Sequence, residues 1–245
     1  MVEWKETKAR LKEHLPLTKQ EMSGLVVAIL VTGFIFSFRS WGGDSFNLAI
    51  GLKNLILIIL AAVVVFFAHI LPQKWFALTQ GYKIEFRTWW LGIAIALVLA
   101  FLTKGWLTII IPGGIWASFM VRQRLGEFRY GFNYGDMGLA ALWGILGNLI
   151  AAILFRLGNY IFPASVFFEK GLVMCLVFAV CSLIPLPQLD GIYLFYGMKG
   201  QYVGVALLVL LVILLLMVFG KIGLIMAIIL TIIISLVIYL ITSNK

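Results

Sequence analysis

The stretch from Leu55 to Gln73 reads LILIILAAVVVFFAHILPQ, and it decides the fold class. Fourteen apolar residues precede His69, which is one of only two histidines in the chain. About 20 such residues cross the roughly 30 Å hydrocarbon layer of a membrane as a helix. An ionisable ring at that depth is costly unless it has a partner or a function. His69 therefore marks a candidate site inside a membrane.

The whole chain has the composition of a membrane protein. Of its 245 residues, 63% are hydrophobic and 12% are charged, and the mean hydropathy is +1.09. These values lie outside the range of soluble domains. We expect an all-α polytopic membrane protein with about six to seven transmembrane helices. The charged stretch 1–22 contains no apolar core followed by a cleavage site, so we expect no cleaved signal peptide.

The apolar runs divide the chain into three predicted regions. Residues 1–22 form a cytoplasmic amphipathic tail, residues 23–200 form a membrane core, and residues 201–245 form a C-terminal helical hairpin. The predicted apolar helices span residues 23–38, 54–72, 90–102, 138–157, 171–184, 202–219 and 222–241. Charged residues, Gly or Pro separate these runs, and Gly and Pro are the usual breakers of regular structure.

One segment between the second helix and the helix that carries Asn148 does not fit a helical pattern. Lys83 to Trp89 alternates polar and apolar residues, as a half-buried strand does, and a strand there needs a partner. Residues 106–111 are a β-branched run that ends at Pro112-Gly-Gly114. Irregular backbone at membrane depth is tolerated only where it is buried in protein or lines a wet cavity. We expect a short membrane-associated β or re-entrant segment here.

The basic residues indicate the orientation of the chain. A net charge of +9 would suggest nucleic-acid binding in a soluble protein, but here the lysines and arginines lie in gaps between apolar runs. We therefore expect no nucleic-acid partner and a multi-pass protein of the cell membrane. With a cytoplasmic N-terminus, 13 of the 19 basic residues face inward, as the positive-inside rule requires. His69 and Asp190 then lie at a similar depth, and Arg122, Arg124 and Arg129 are expected to contact anionic lipid headgroups.

The residues after His69 correspond to a zinc-peptidase motif in part only. A hydrolytic zinc needs about three protein ligands, an open position for water and usually a carboxylate base. The motif His-Glu-x-x-His supplies two ligands one helical turn apart and the base between them. The matching positions in this chain are His69, Ile70 and Gln73. One histidine is present, the base position is apolar, and the second ligand position is a neutral amide.

Five short segments occur in the order found in one family of membrane proteins. They are Leu17-Thr-Lys-Gln-Glu21, the stretch from Phe76 to Trp89 with its Glu-Phe-Arg, Pro112-Gly-Gly114, Gly144-Ile-Leu-Gly-Asn148 and Leu183-Ile-Pro-Leu-Pro-Gln-Leu-Asp-Gly191. On these segments, residues 17–200 resemble the site-2 protease family (peptidase M50) of intramembrane zinc metalloproteases, especially its compact prokaryotic members. The resemblance implies a helical membrane core built around a zinc site.

The resemblance also implies roles for single residues. Asp190 stands at the family's third zinc ligand, Asn148 matches the Asn of a Gly-Pro-x-x-Asn motif, and Ser182 stands where the family has Asn. In family members a strand near the active site receives an extended substrate by edge pairing. The strand segment with Glu85 and Arg87 is therefore expected to form a substrate or partner cleft together with Asn148 and Ser182.

Three departures weaken the chemistry that the resemblance implies. His69 and Asp190 alone leave zinc under-coordinated, because the Gln73 amide is a poor replacement for imidazole. Ile70 cannot act as a base, and loss of the general base commonly costs about 100-fold to 10,000-fold in rate. Pro72 is expected to kink or end the helix between positions 69 and 73. We therefore expect a proteolytically inactive homologue without zinc that binds a membrane segment or a membrane-protein partner.

Other interpretations stay open at this point. The first alternative is an intramembrane zinc metalloprotease with a remodelled site, in which His69 and Asp190, with Gln73 or Glu85, hold the metal. For His69 the preferred interpretation is a structural histidine that hydrogen-bonds Asp190, Asn148 or a backbone carbonyl, and Asn148 is equally consistent with an interhelical hydrogen bond. Asp190 also suits a helix end.

Two further alternatives concern other parts of the chain. Glu85 and Arg87 have a simpler explanation as exposed side chains of one strand face. A small transporter or channel subunit would also use an intramembrane His and Asp, but the sequence has no internal repeat.

Overall fold

Long helices and one small sheet make up the described part of the molecule. The structure, a computed structural model, describes residues 4–42, 46–120 and 133–243, and the side chains of 8–42, 46–120 and 133–237. In chain order the elements are α1 (Trp4–His14), α2 (Lys19–Ser37), α3 (Leu48–Thr79), β1 (Tyr82–Thr88), α4 (Trp90–Leu102), β2 (Gly113–Phe119), α5 (Tyr134–Ile161), α6 (Val166–Cys181), α7 (Gly191–Gly197), α8 (Lys199–Val218) and α9 (Gly220–Ser243). The mostly helical fold with a short β segment agrees with the predicted class.

Five of these helices are long and apolar enough to cross a membrane, namely α2, α3, α5, α8 and residues 220–237 of α9. The helix α4 is apolar but shorter, and its bounds are those predicted. The helices therefore support a multi-pass membrane protein, whereas the count of about six to seven spans and the cytoplasmic N-terminus stay predictions. Arg122, Arg124 and Arg129, which are expected to contact lipid headgroups, lie outside the described residues.

Side-chain caps begin two membrane helices earlier than the sequence predicts. Thr18 and Glu21 form a capping box, in which each side chain bonds the backbone N–H of the other residue. The helix α2 therefore begins at Lys19, four residues before the predicted start. The Asn47 side chain caps α3 with two backbone bonds, so that α3 begins six residues before its predicted start. A prediction from hydropathy alone leaves the first turns of both helices out, because they contain polar residues.

The helix α3 does not end at Pro72, and the predicted end is wrong. It continues to Thr79 and is 32 residues long, which is about 48 Å at 1.5 Å per residue. Pro72 has no N–H to donate to the Ala68 carbonyl. That carbonyl faces Gly147 of α5, where any Cβ would collide with it, and so close an approach suits a Cα–H···O contact. The glycine accommodates the proline and lets the helix continue.

The strands β1 and β2 pair as an antiparallel two-stranded sheet. The predicted strand is confirmed as β1, and the partner that it needs is β2. The β-branched run 106–111 is not that partner, because pairing begins only after Pro112. Alternate residues of β1 are buried, and Phe86 among them packs edge-on against Phe66 of α3.

The helix α5 is central to the membrane core and packs against α3, α6 and α7. Its glycines allow close contact with α3, since a Cβ at Gly144 would collide with the Gln73 side chain. The helices predicted for residues 138–157 and 171–184 correspond to α5 and α6. The short helix α7 was not predicted. The helices α8 and α9 form the predicted closing pair and expose much apolar surface.

Candidate functional site

The helix α3 brings two polar side chains into the core. His69 and Gln73 lie one turn apart on the same face, and their exposed fractions are 1% and 0%. Ile70, at the position of a catalytic base in the zinc-peptidase motif, is buried and belongs to the hydrophobic core. Because the helix continues past Pro72, His69 and Gln73 keep helical spacing.

Asp190 lies where the loop after α6 enters α7, and its carboxylate meets both of these side chains. Its Oδ2 atom accepts from Nε2 of His69 at 2.7 Å and from Nε2 of Gln73 at 2.7 Å. Its Oδ1 atom accepts from the backbone N–H of Ile115 in β2 at 3.0 Å. Asp190 is itself buried, so these three donors replace water around the carboxylate. The structure thus joins His69 and Asp190 across 121 positions of sequence.

Asn148 of α5 contacts the other nitrogen of the His69 ring. Its Nδ2 atom lies 3.0 Å from Nδ1 of His69. With the amide oriented in this way, the nitrogen only donates, so Nδ1 accepts and Nε2 carries the proton that is donated to Asp190. Of the two roles considered for Asn148, the structure shows the interhelical hydrogen bond.

Other side chains cover the site on the side of α6 and α7. The Phe178 ring stacks on the His69 ring with 4.3 Å between centroids. Ser182 caps the C-terminus of α6, one turn after Phe178, and is buried. Burial, and after it the Asp190 carboxylate, raises the pKa of Tyr193 above its ordinary value, so the phenol stays protonated. Ser182 is therefore covered and does not line an open surface.

The donor set does not fit a zinc ligand sphere. A tetrahedral Zn²⁺ at about 2.0–2.1 Å from a His nitrogen and a carboxylate oxygen holds these atoms about 3.3 Å apart. The Nε2 atom of His69 and the Oδ2 atom of Asp190 are 2.7 Å apart. Gln73 turns its amide nitrogen to the carboxylate, and that nitrogen is a donor only. Among the described residues, no group of three or more His, Cys, Asp or Glu side chains is placed to hold a metal ion.

Two amide oxygens at this site are buried without a hydrogen-bond partner in the described part of the chain. They are Oε1 of Gln73 and Oδ1 of Asn148. A buried unsatisfied polar atom costs about 1–3 kcal/mol, and native proteins keep few of them. The hydrogen bonding of the two amide groups beside His69 is therefore incomplete among the described residues.

Glu85 and Arg87 lie away from the site. Both belong to the more exposed face of β1, opposite the face that packs on the helices. Glu85 pairs with Lys83 at 2.9 Å, and the Arg87 guanidinium lies 4.2 Å from the centre of the Trp116 ring. The structure does not bring Glu85 and Arg87 together with Asn148, because strand alternation directs them to the other face.

A second buried polar cluster, which sequence reasoning missed, joins α2 to α3. The Nζ atom of Lys74 lies 2.7 Å from Oε1 and 2.8 Å from Oε2 of Glu21, and both residues are buried. The Oε1 atom also accepts from the N–H of Phe86 at 2.8 Å. Lys74 lies beyond the helix predicted for residues 54–72, so the prediction places it outside the membrane helices. A helix that continues would have placed the lysine at depth, where a charge needs a partner.

Comparison with known proteins finds one distant similarity to a curated protein. The chain is 24% identical over 176 residues to the protein named "Putative zinc metalloprotease MJ0611" from Methanocaldococcus jannaschii. The alignment covers 71% of this chain and 82% of that protein. No family model matches the chain, and no solved structure matches it. The similarity hints at a metalloprotease family.

Proposed function

We propose that this chain is a site-2-protease-like (peptidase M50) integral membrane protein that does not cleave peptides and binds a membrane segment of a partner protein. One observation carries the proposal. Two of the side chains at the ligand positions, His69 and Gln73, both donate to the third, the Oδ2 atom of Asp190. The His69 Nε2 and Asp190 Oδ2 atoms that a metal would need are engaged in these bonds, and of the three side chains only Gln73 keeps a buried oxygen without a partner in the described part of the chain.

The lack of a general base also supports an inactive protein. Ile70 is at the base position and is packed in the core. The carboxylate of Glu21 is occupied by Lys74 and by backbone N–H groups, and Glu85 lies on the other face of the sheet. Loss of the base alone costs about 100-fold to 10,000-fold in rate. Together with the missing ligand, this loss favours a scaffold without hydrolytic chemistry.

An apolar cleft in the membrane core supports partner binding. It has a volume of about 610 Å³ and lies between α5, α8 and α9. Ile145 and Leu149 of α5 line it, and both lie within one turn of Asn148. Gly204 of α8 also lines it and has no neighbouring atom within 4 Å of an added Cβ. Small residues of this kind let a further transmembrane helix approach closely, so the partner is a transmembrane segment.

Anionic lipid headgroups are the second class of partner in this proposal. The helix α1 is rich in basic residues, and Arg10 donates to the carbonyl of Leu78 near the end of α3. This bond holds α1 against the membrane core. With a cytoplasmic N-terminus in the cell membrane, α1 lies at the anionic inner surface, where each basic residue contributes about 1 kcal/mol of attraction.

Metal content and peptide cleavage test the proposed loss of activity. Full-length protein from zinc-rich medium should hold much less than one zinc per chain by mass spectrometry, and it should leave a transmembrane peptide uncut. Stoichiometric zinc with cleavage that Asp190→Ala abolishes would overturn the proposal. Restoring the motif with Ile70→Glu and Gln73→His should create zinc binding, because His69 and Asp190 are already in place. Ile70→Gln with Gln73→Leu is the matched control.

The alternative function is an intramembrane zinc metalloprotease with a remodelled metal site. The name of the M. jannaschii relative favours it. It requires the His69–Asp190 hydrogen bond to open and the Gln73 amide to turn its oxygen inward. X-ray absorption of the wild-type protein distinguishes the two functions, because zinc bound by one imidazole and oxygen ligands supports the enzyme.

Site-specific photo-crosslinking in native membranes tests partner binding. A photoreactive residue in place of Leu208, which lines the cleft, should capture a membrane-protein segment. The same residue in place of the neighbouring Leu207, which is 63% exposed on the outer surface, should not. Gly204→Leu should fill the cleft and abolish the capture at position 208. Capture that is equal at both positions, or that survives Gly204→Leu, would exclude this cleft as the docking site.

A further inference from the structure

On the outer edge of each strand, one backbone N–H donates to a buried carboxylate, and these two N–H groups belong to residues that are paired in the sheet. Phe86 of β1 and Ile115 of β2 lie directly opposite each other, and each directs its N–H away from the partner strand, as in a non-hydrogen-bonded pair. The N–H of Phe86 donates to Oε1 of Glu21 at 2.8 Å, and the N–H of Ile115 donates to Oδ1 of Asp190 at 3.0 Å. The two carboxylates therefore grip one residue pair from opposite sides.

Both carboxylates are bound in turn by consecutive residues of α3. Asp190 accepts from Gln73, and Glu21 pairs with Lys74. These contacts form a closed circuit. From Lys74 of α3 it runs through Glu21 to Phe86 of β1. From Ile115 of β2, opposite Phe86, it returns through Asp190 to Gln73 of α3. Every side chain in it is buried. In such a circuit, the position of Asp190 against α3 depends on where the sheet is held.

The Glu21 side of the circuit is the firmer one. Glu21 and Lys74 form a buried pair of opposite charges, whereas no lysine or arginine side chain pairs with Asp190 among the described residues. Glu21 also closes the capping box at the start of α2, where Oε2 accepts from the N–H of Thr18 at 3.2 Å. On the other side, the oxygen atoms of Gln73 and Asn148 lack partners among the described residues. The ion pair is therefore the fixed point from which the sheet is placed.

We propose that Glu21 and Lys74 are positioning residues for the polar site, which act through the sheet. By holding Phe86, they hold Ile115, and thereby set how Asp190 meets His69. The proposal does not depend on whether the chain cleaves peptides, because it concerns the contact between His69 and Asp190. A purely local role of the ion pair predicts no effect on that contact.

Nuclear magnetic resonance of the histidine rings tests the proposal on the full chain in detergent micelles. The chain contains two histidines, so ¹⁵N-histidine labelling gives two ring spectra, and His14→Gln identifies that of His69. The hydrogen bond to Asp190 should give a downfield, slowly exchanging Nε2–H signal. Glu21→Gln keeps an amide oxygen for the Phe86 N–H but removes the counter-charge, and it should shift or abolish this signal.

Matched variants separate positioning from general destabilisation. Lys74→Met should change the His69 signal as Glu21→Gln does, and Lys74→Arg, which keeps the charge, should restore the native signal. Thr231→Val removes a buried hydroxyl of α9 and should leave the signal unchanged. If the Glu21 and Lys74 variants are folded by circular dichroism and the signal stays at its native position, the proposal is wrong. If Glu21→Gln does not fold, the two Lys74 variants carry the test.

Hydrogen exchange followed by mass spectrometry gives a second readout. In Glu21→Gln, peptides from both β1 and β2 should exchange faster, because the carboxylate is expected to hold the pair of strands. Faster exchange in β1 alone would show that Glu21 supports its own strand and does not reach Ile115. That outcome would also overturn the proposal.

Discussion

Glu21 and Asp190 are carboxylates in matching surroundings that differ in how completely their clusters are satisfied. Each is buried, caps one member of the Phe86–Ile115 pair and contacts α3. Glu21 faces a cation, and neither it nor Lys74 has an unpaired buried polar atom in the described part of the chain. Asp190 faces neutral donors, beside two amide oxygens that lack partners. Burial and hydrogen bonding are common to both clusters, which differ in the lysine that faces Glu21 and in the unsatisfied oxygen atoms beside Asp190.

The largest effect is expected from Glu21→Ala. The change leaves the Lys74 ammonium buried without a counter-charge, which costs about 3–5 kcal/mol. The free energy of unfolding in mixed detergent micelles measures it. Glu85→Ala removes a half-exposed ion pair with Lys83 and should cost about 0–1 kcal/mol. Equal losses for the two variants would show that the ion pair of Glu21 is hydrated and not buried.

Asp190→Ala should cost less than Glu21→Ala. It leaves His69, Gln73 and the Ile115 N–H without their acceptor, at about 1 kcal/mol or more for each of the three donors, but it removes no partner of a buried lysine. The same unfolding measurement ranks the two variants. A larger loss for Asp190→Ala would contradict the contrast between the two clusters.

Gly147→Ala should disturb the His69 cluster and spare the Glu21 cluster. The added Cβ collides with the Ala68 carbonyl and separates α5 from α3, at an expected cost of at least about 1 kcal/mol. The Nδ1 resonance of His69 should report the weakened bond to Asn148. Gly204→Ala is the control, because open space surrounds that position, and alanine there should leave both stability and the resonance unchanged or slightly improve stability.

The smallest effect is expected from Gln73→Met. The change removes one hydrogen bond to Asp190 but also removes a buried oxygen without a partner. The loss of the hydrogen bond lowers stability and the removal of the unsatisfied oxygen raises it by a similar amount, so the free energy of unfolding should change by less than about 1 kcal/mol. Lys74→Met, one residue along the same helix, should cost several times more. Similar losses at the two positions would contradict the contrast between the clusters.

The contacts of His69 were largely within reach of the sequence. His69 and Asp190 each end an apolar run, and the distribution of basic residues put both at the same depth. The structure joins them at 2.7 Å. Asn148 was identified from its motif, and a short list of alternatives already contained its bond to His69. Polar residues at membrane depth are rare, so the few that a sequence contains are the first candidates for each other's hydrogen-bond partners.

The sheet contacts and the ion pair were not within reach. Lys74 lies two residues after Pro72, and a proline normally ends a helix. The predicted helix therefore excluded the lysine. What keeps the helix intact is a glycine on another helix, which no local pattern reveals. Asp190 contacts the backbone N–H of Ile115. Every residue type except proline has such an N–H, so this contact cannot be inferred from the types of side chain in the sequence. From this part of the chain, the sequence instead led to the prediction that the polar residues Glu85 and Arg87 belong to the cleft.

The contact of Gly147 with the Ala68 carbonyl also constrains how this chain evolves. A proline at position 72 is tolerated because α5 lies close enough to cover the carbonyl that the proline leaves without its helical donor. A side chain at position 147 would lift α5 away and expose that carbonyl. Substitutions at the two positions are therefore expected to be coupled in their effect on stability. In an alignment of relatives, proline at 72 should occur only in lineages that already carry glycine at 147.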